Sequence, residues 1–315
     1  MYRIGVDLGG TNIATGVLNE NNEIVGRGKV KTRAPRPAPE IFDSIKESVE
    51  MAIADAGISM DDVKSIGIGT PGSVNKATGE IEFSNNLQFN NVPAKEMLEA
   101  RIKKYIFAVM EHTKDYVSSY DVVNEPISDK TYKLRTEEDH SFWQKILGPD
   151  YVEKMFTWAH EANPNAELVI NDYNIESTIG KREGMYNFVK EMLAKNVPIS
   201  AVGLQMHISV NDPPVEQIEE TINMFGELGL KVLVTEMDVS VYNFEDKERI
   251  EYTPELLEKQ AQRYKEIFEC FKRCAKKGYL TDVVLWGIMD NRSWKNDFPV
   301  PGRTDIPLLF DGKGK

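Results

Sequence analysis

Two glutamates in this chain of 315 residues have neighbours that point to catalysis. Glu125 and Glu236 each stand at the end of a predicted apolar strand. Hydrolysis of a glycosidic bond with retention of configuration uses two carboxyl groups about 5–5.5 Å apart, one as nucleophile and one as acid/base. A fold that gathers strand ends at one mouth would bring these two glutamates together.

The residues around the two glutamates fit that chemistry. His207 and Asp238 can hold the Glu236 carboxylate ionised through charge-assisted hydrogen bonds, and Asn124 can hydrogen-bond a sugar hydroxyl beside Glu125. Flat apolar faces for sugar rings are offered by Trp286 and Trp294. A single glutamate at a strand end is usually a solvated loop residue, so the prediction depends on these neighbours.

The elements that must position these residues are parallel βα units. After about residue 101, apolar strands alternate with helical patterns, which is typical of a parallel sheet. The predicted strands are 120–123, 168–170, 201–204, 231–234 and 283–286, and the predicted helices are 150–162, 181–196, 215–228 and 254–277. Each strand ends in polar or aromatic residues, which predicts one shared site at the C-terminal face of a β/α-barrel. A closed barrel needs eight strands, so the predicted fold class is α/β with a partial (β/α)8 barrel.

The first hundred residues follow a different pattern. The predicted strands are 2–8, 12–18, 23–31 and 65–70, and the predicted helices are 40–56 and 93–104. A tight turn, Gly9-Gly10-Thr11, joins the first two strands and exposes N–H groups that can cradle a phosphate. No Gly/Ser-rich or Pro-rich linker separates the two parts of the chain.

Composition narrows the possible partners. The formal net charge of −12 argues against nucleic acid and anionic membranes, and it is compatible with neutral sugars. No apolar run approaches the roughly 18 residues that span a bilayer. The start of the chain lacks a signal-peptide pattern, so a cytoplasmic location is predicted. Cys270 and Cys274 are interpreted as half-buried thiols on one helix, with a disulfide or metal site as the alternative.

Residues 101–315 resemble the last five of the eight barrel units of glycoside hydrolase family 10, the retaining endo-β-1,4-xylanases. The motifs are D-V-V-N-E-P at 121–126, N-D-Y-N at 171–174, G-L-Q-M-H-I-S at 203–209, V-T-E-M-D-V at 234–239, W-G-I-M-D-N-R-S-W at 286–294 and R-T-D-I-P-L-L-F-D at 303–311. The resemblance implies that Glu125 is the acid/base, that Glu236 is the nucleophile, and that His207 and Asp238 support the nucleophile.

The same resemblance implies which substrate the chain would act on and that its activity would be reduced. The substrate would be xylan or xylo-oligosaccharides, with no cofactor and no metal. The residues implied to contact xylose units or neighbouring catalytic groups are Asn124, Tyr173, Gln205, Trp286 and Trp294. The family's Glu-Asn and Lys cluster and its His-x-Leu-x-Trp-His motif serve the glycone side of the cleft, and both are absent from this sequence. Weak activity is therefore expected.

Residues 1–100 resemble the ROK group of sugar kinases and repressors, which are actin-like, ribonuclease H-like proteins. The motifs are V-D-L-G-G-T-N at 6–12, G-I-G-T-P-G-S-V at 67–74 and S-N-N-L at 84–87. The resemblance implies a vestigial phosphate site at Asp7, Gly9, Gly10, Thr11 and Asn12. The group's D-N-D-A-N-like motif, which carries its catalytic aspartate, and its zinc motif are absent, so no working kinase is expected.

The join falls in the predicted helix 93–104, which suggests a recombined, engineered or misassembled coding sequence with domains at 1–100 and 101–315. Four functions stay open: a weak retaining xylanase, a sugar-binding module without turnover, a kinase-like sugar sensor, and a chimera with no function. The sequence carries no signal for an oligomeric state.

Overall fold

The computed structural model describes residues 2–75, 78–136, 138–139, 141–244 and 246–314. The chain divides into two compact units. The first unit comprises Met1–Tyr105 and Thr136–Pro149, and the second unit comprises Ile106–Arg135 and Asp150–Lys315. Among the described residues, no helix is both long enough and apolar enough to cross a membrane.

The first unit is built on a four-stranded sheet. Its elements are β1 (Tyr2–Leu8), β2 (Asn12–Leu18), β3 (Ile24–Lys31), α1 (Ala38–Ala56) and β4 (Val63–Gly69). The strand order is β3-β2-β1-β4, in which β4 is parallel to β1 and the other pairs are antiparallel. The apolar face of α1, with Ile41, Ile45, Val49 and Ile53, is buried in this unit's core as its spacing predicts.

A second, smaller sheet of the first unit was not predicted. It contains the antiparallel strands β5 (Ser73–Asn75), β6 (Glu80–Ser84) and β7 (Phe89–Val92). These strands are short, so their local patterns are weak. The next helix, α2 (Ala94–Thr113), is longer than the predicted 93–104 because no glycine or proline interrupts residues 105–113. A short helix, α3 (Phe142–Leu147), also belongs to the first unit.

The second unit is a parallel βα sheet, as predicted. Its elements are β8 (Ser119–Asn124), α4 (Tyr151–Ala162), β9 (Glu167–Asp172), α5 (Ile179–Ala194), β10 (Ala201–Leu204), β11 (His207–Ser209), α6 (Val215–Gly226), β12 (Lys231–Ser240), α7 (Pro254–Lys276) and β13 (Leu280–Leu285). The strand order is β8-β9-β10-β12-β13, and β11 extends the sheet by pairing with β12.

Two of these strands differ from their predicted bounds in ways that affect the site. The strand predicted at 231–234 continues to Ser240, so Glu236 and Asp238 lie within β12 rather than beyond its end. The pairing of β12 with β13 shifts register between Val234 and Met237, and such irregularities re-aim side chains beside active sites. The strand predicted at 283–286 spans Leu280–Leu285, so Trp286 follows β13 directly.

The parallel sheet has two open edges within the described part of the chain. There, β8 pairs only with β9, and β13 pairs only with β12. Two apolar side chains on and after β13 are also exposed, Val284 at 52% and Ile288 at 75%. Five strands in this order correspond to an incomplete eight-stranded barrel.

A substitution at Gly28 on β3 tests how closely α1 packs on this strand in the first unit. A Cβ added at Gly28 would overlap the carbonyl oxygen of Ser48, whereas a Cβ at Gly5 in β1 meets nothing within 4 Å. We expect Gly28→Ala to lower the free energy of unfolding by about 1–3 kcal/mol, because α1 must move. Gly5→Ala is the matched control and should be neutral or stabilising. Urea denaturation followed by circular dichroism measures both; equal stability of the two variants would contradict the close packing.

Candidate active site

Side chains from the C-terminal ends of the parallel strands meet at one cavity. The cavity has a volume of about 970 Å³ and lies within the second unit. Of the residues predicted from sequence, it is lined by Glu125, Tyr173, Gln205, His207, Glu236, Trp286 and Trp294. The other two predicted residues, Asn124 and Asp238, do not line the cavity but hydrogen-bond to side chains that do.

A continuous chain of side-chain amides links the two glutamates. Gln205 Nε2 donates to Glu125 Oε1 and to Asn124 Oδ1, both at 3.2 Å. Asn171 Nδ2 donates to the same Asn124 oxygen at 2.9 Å and to Glu236 Oε1 at 3.0 Å. Three amides therefore fix the two carboxyl groups relative to each other.

Asn171 is central to this chain of amides, although the sequence predicts for it only a position at a strand end in the N-D-Y-N motif and no specific contact. It lies on β9, and its Oδ1 accepts a hydrogen bond of 2.8 Å from Thr235 Oγ1 on β12. Gly203 on β10 leaves room for this side chain, since an added Cβ would overlap Asn171 Oδ1. The signal was present in the sequence, because Asn171 begins the N-D-Y-N motif.

Glu236 is supported by a charged group behind it. His207 Nε2 lies 3.4 Å from Glu236 Oε2, and His207 Nδ1 lies 2.9 Å from Asp238 Oδ2. Trp294 Nε1 donates to the same Asp238 oxygen at 2.8 Å, and Lys295 Nζ lies 3.4 Å from Asp238 Oδ1. Burial lowers the pKa of His207, but its hydrogen bonds to Asp238 and Glu236 outweigh that effect and raise the pKa to about 9. The imidazole is therefore a cation at neutral pH.

A second group of charged side chains surrounds Tyr173, and Tyr173 is the member for which the family resemblance predicts a contact with xylose units or catalytic groups. Asp129 pairs with Arg135 at 3.0 Å and with Lys181 at 2.8 Å. Lys181 also pairs with Asp172 at 2.9 Å, and its ammonium lies 3.4 Å from the centre of the Tyr173 ring. Burial and the hydrogen bond to Asp129 raise the pKa of Tyr173 to about 12. Burial raises the pKa of Asp172 to about 6, a rise limited by Lys181 and by the N–H of Ile127.

The backbone of Glu125 is in an unusual conformation. Its φ of +55° is in the left-handed region, which costs a residue with a side chain about 1–3 kcal/mol and recurs at functional sites. Its N–H donates to the carbonyl oxygen of Asn171 at 2.8 Å. The surrounding hydrogen bonds therefore hold this residue in a conformation that it would not adopt alone.

The predicted phosphate-binding residues belong to the first unit, whereas Glu125 and Glu236 belong to the second. Asp7 is on β1, Asn12 begins β2, and Gly9-Gly10-Thr11 forms the turn between the two strands. Gly9 N–H donates to Asn12 O at 3.0 Å. Thr32 closes the turn by donating its Oγ1 hydrogen to Gly9 O at 2.6 Å and its N–H to Thr11 O at 3.0 Å.

The cysteine pair lies outside the site, and the histidines other than His207 have no predicted role. Cys270 and Cys274 are free and fully buried on α7, not half-buried, because this face of the helix packs inward. His112 is on α2 and His160 is on α4. His140 lies outside the described residues.

A cavity at the C-terminal ends of parallel strands that holds two linked carboxyl groups is characteristic of β/α-barrel glycosidases. The family model of glycosyl hydrolase family 10 matches residues 80–315, and the chain belongs to that family. The ROK family model matches residues 3–115. Both family resemblances predicted from the motifs are confirmed, and the two matches overlap at residues 80–115.

Known proteins match the same part of the chain. Endo-1,4-beta-xylanase A of Caldicellulosiruptor saccharolyticus is 42% identical over 225 residues, which cover 70% of this chain and 64% of the relative. Endo-1,4-beta-xylanase C of Paenibacillus barcinonensis is also 42% identical, over 70% of this chain and 21% of the relative. The chain thus spans less than two thirds of the length of these relatives.

Solved structures confirm the barrel-like α/β fold. A family 10 structure from Paenibacillus barcinonensis has a TM-score of 0.68 and 34% identity, over 87% of this chain and 78% of that chain. A mutant structure in complex with xylotriose has a TM-score of 0.65 and 38% identity, over 70% of this chain and 66% of that chain.

The charge on His207 predicts a pH-dependent contribution to stability. Its pKa rises from the ordinary 6.5 to about 9 on folding, so the folded state holds the proton more tightly than the unfolded state. The stabilisation is complete below pH about 6.5 and is lost as pH rises through about 9. We expect the melting-temperature difference between the wild type and His207→Asn to be largest near pH 6 and to shrink by pH 10. A difference that does not change with pH would contradict a protonated His207.

Proposed function

We propose that this chain is a retaining β-1,4-xylanase-type glycosidase acting on xylan or xylo-oligosaccharides, with Glu236 as nucleophile and Glu125 as acid/base. The observation that carries the proposal is that both carboxyl groups line one cavity and are joined by a chain of amide hydrogen bonds. A sugar bound in that cavity would have its scissile bond between them. Membership of a family whose relatives are xylanases supports the choice of substrate.

In the first step, a Glu236 oxygen attacks the anomeric carbon and the bond to the leaving oxygen breaks. Glu125 gives its proton to that oxygen, so the leaving group departs as a neutral alcohol. In the second step, Glu125 takes a proton from water, and the water oxygen displaces Glu236 from the anomeric carbon. The step restores both carboxyl groups to their starting protonation states.

The surroundings of Glu236 suit a nucleophile. The His207 cation lies 3.4 Å from Oε2, and the hydrogen bond from Asn171 fixes the direction of Oε1. Asp238 lies within hydrogen-bonding distance of the far nitrogen of His207. Its negative charge favours the imidazolium, and its contact with Nδ1 orients the ring.

The surroundings of Glu125 suit an acid/base and its sugar contacts. Gln205 orients one Glu125 oxygen, and Asn124 Oδ1 already accepts two hydrogen bonds. Asn124 does not line the cavity but is exposed next to Gln205, which does, and its Nδ2 group is the end of the amide that can donate to a sugar hydroxyl. Trp286 and Trp294 line the same cavity and are 48% and 36% exposed, which suits ring stacking.

We further propose that the activity is weak. The sheet contributes five strands of an eight-stranded architecture, and the motifs that serve the glycone side of the family's cleft are absent from the sequence. Loss of glycone contacts removes binding energy that would otherwise stabilise the transition state.

The proposed domains are 1–100, an actin-like ROK fragment with a vestigial phosphate turn, and 101–315, the partial barrel. The proposed join lies within α2 (Ala94–Thr113), and the overlap of the two family matches at 80–115 is consistent with it. No kinase activity is proposed, because the ROK match ends at residue 115 and the sequence lacks that group's catalytic-aspartate motif.

An aryl β-xylobioside tests the proposal. Its good leaving group reduces the need for acid catalysis and for contacts on the leaving-group side. We expect slow release of the aryl alcohol by the wild type and a fall to the uncatalysed rate in Glu236→Gln, because no nucleophile remains. Glu258→Gln, an exposed change on α7, is the matched control and should keep the wild-type rate.

Two results would contradict the proposal. Equal rates in the wild type and Glu236→Gln would mean that Glu236 is not the nucleophile. Absence of turnover in a folded wild type that still binds xylohexaose by calorimetry would instead favour a sugar-binding module.

A further inference from the structure

We propose that Arg135 is a positioning residue that holds the acid/base Glu125 in its working orientation, an inference that rests on the proposed function. The Arg135 side chain contacts Glu125 through the backbone rather than through the carboxyl group. Its Nε donates to the carbonyl oxygen of Glu125 at 2.9 Å. The same guanidinium donates from Nη2 to the Tyr173 hydroxyl at 2.9 Å and to Asp129 Oδ2 at 3.0 Å.

The conformation of Glu125 explains why such a contact is needed. With φ at +55°, the residue occupies the left-handed region, where a glutamate is rarely stable unless its neighbours determine its backbone. The peptide on one side is held by the bond from Glu125 N–H to Asn171 O, at 2.8 Å. The peptide on the other side is held by Arg135. Together these two bonds set the direction in which the side chain leaves the backbone.

The loop between Glu125 and Arg135 folds back so that the arginine can reach the glutamate. Arg135 N–H donates to Pro126 O at 2.7 Å, and Ile127 forms a β-bridge with Leu134. Between them, Tyr132 packs on α5 against two glycines, Gly180 and Gly184, where an added Cβ would overlap the tyrosine. The loop is therefore anchored on a helix at its tip and closed by hydrogen bonds at its base.

Buried charge fixes the other end of the guanidinium. Asp129, which pairs with Arg135, also pairs with Lys181 at 2.8 Å, and Lys181 is only 1% exposed. Lys181 in turn pairs with Asp172, whose Oδ2 accepts from Ile127 N–H at 2.9 Å. An arginine suits this position because its planar guanidinium donates hydrogen bonds in several fixed directions at once. A lysine in its place has one ammonium and cannot keep the Glu125, Tyr173 and Asp129 contacts together.

The reaction gives this role a specific signature. Glu125 must protonate a poor leaving group in the first step, but a good leaving group departs without that proton. In the second step Glu125 must remove a proton from water, and an azide ion can replace water without needing a base. A misdirected Glu125 therefore lowers the rate on substrates with poor leaving groups more than on those with good leaving groups, whereas a general loss of folding lowers all rates equally.

We expect Arg135→Lys to lower kcat/KM about 10-fold or more for a phenyl β-xylobioside, against less than about 3-fold for the dinitrophenyl compound. Added azide should restore kcat for the dinitrophenyl substrate in the variant, with formation of the glycosyl azide. Arg273→Lys is the matched control. It changes an arginine that pairs with Glu219 at 2.6 Å on the surface between α6 and α7, and it should leave kcat/KM unchanged for both substrates. Thermal unfolding of each variant reports on folding independently.

The possible failures are distinguishable. Equal losses on both substrates, without rescue by azide, would overturn the positioning role while leaving the proposed function intact. Unchanged rates of Arg135→Lys on both substrates would also overturn the positioning role and leave the proposed function intact. An inactive but folded wild type would overturn the proposed function, and the role of Arg135 with it.

Discussion

The site depends most on the side chain and backbone of Asn171. Its amide nitrogen donates to Asn124 and to Glu236, its amide oxygen accepts from Thr235, and its backbone carbonyl accepts from the N–H of Glu125. One residue on β9 thereby ties β8 and β12 to a common frame. Because parallel strands expose their C-terminal ends on one side of the sheet, this residue can contact the carboxyl group of Glu236 with its side chain and the N–H of Glu125 with its backbone.

Charge pairing stabilises the frame that these amides set. The carboxylates of Asp238 and Asp172 are fully buried, and burial of an unpaired charge is costly. Each has a cationic neighbour within 3.4 Å: His207 and Lys295 for Asp238, and Lys181 for Asp172. Removing one partner of a buried ion pair destabilises a protein more than replacing the whole pair with apolar residues, because it leaves an unpaired buried charge. These pairs therefore constrain where the strand ends lie.

In the part of the chain that the structure describes, the candidate site lies on a parallel sheet with two open edges. Sheet edges expose unpaired backbone groups and invite association with other chains, and the exposed side chain of Val284 on β13 adds apolar surface there. The residues that orient Glu125 and Glu236 nevertheless all come from β8, β9, β10, β11 and β12 and the loops after them. The hydrogen bonds that set the geometry of the carboxyl pair therefore come from the described strands of the parallel sheet and their loops.

The sequence by itself determined the alternation of strands and helices, the polar residues at the strand ends, and both family resemblances, because periodicity and motifs are local. It also placed Glu125, Glu236, His207 and Asp238 near one another through the rule that parallel strands end on one face. Only the tertiary structure decided that Asn171 is the hub, that Gly203 makes room for it, and that the loop after β8 returns Arg135 to Glu125. It also decided the small sheet at 73–92, whose strands are too short to leave a pattern. Those features rest on contacts between residues far apart in the chain, and no local pattern records them.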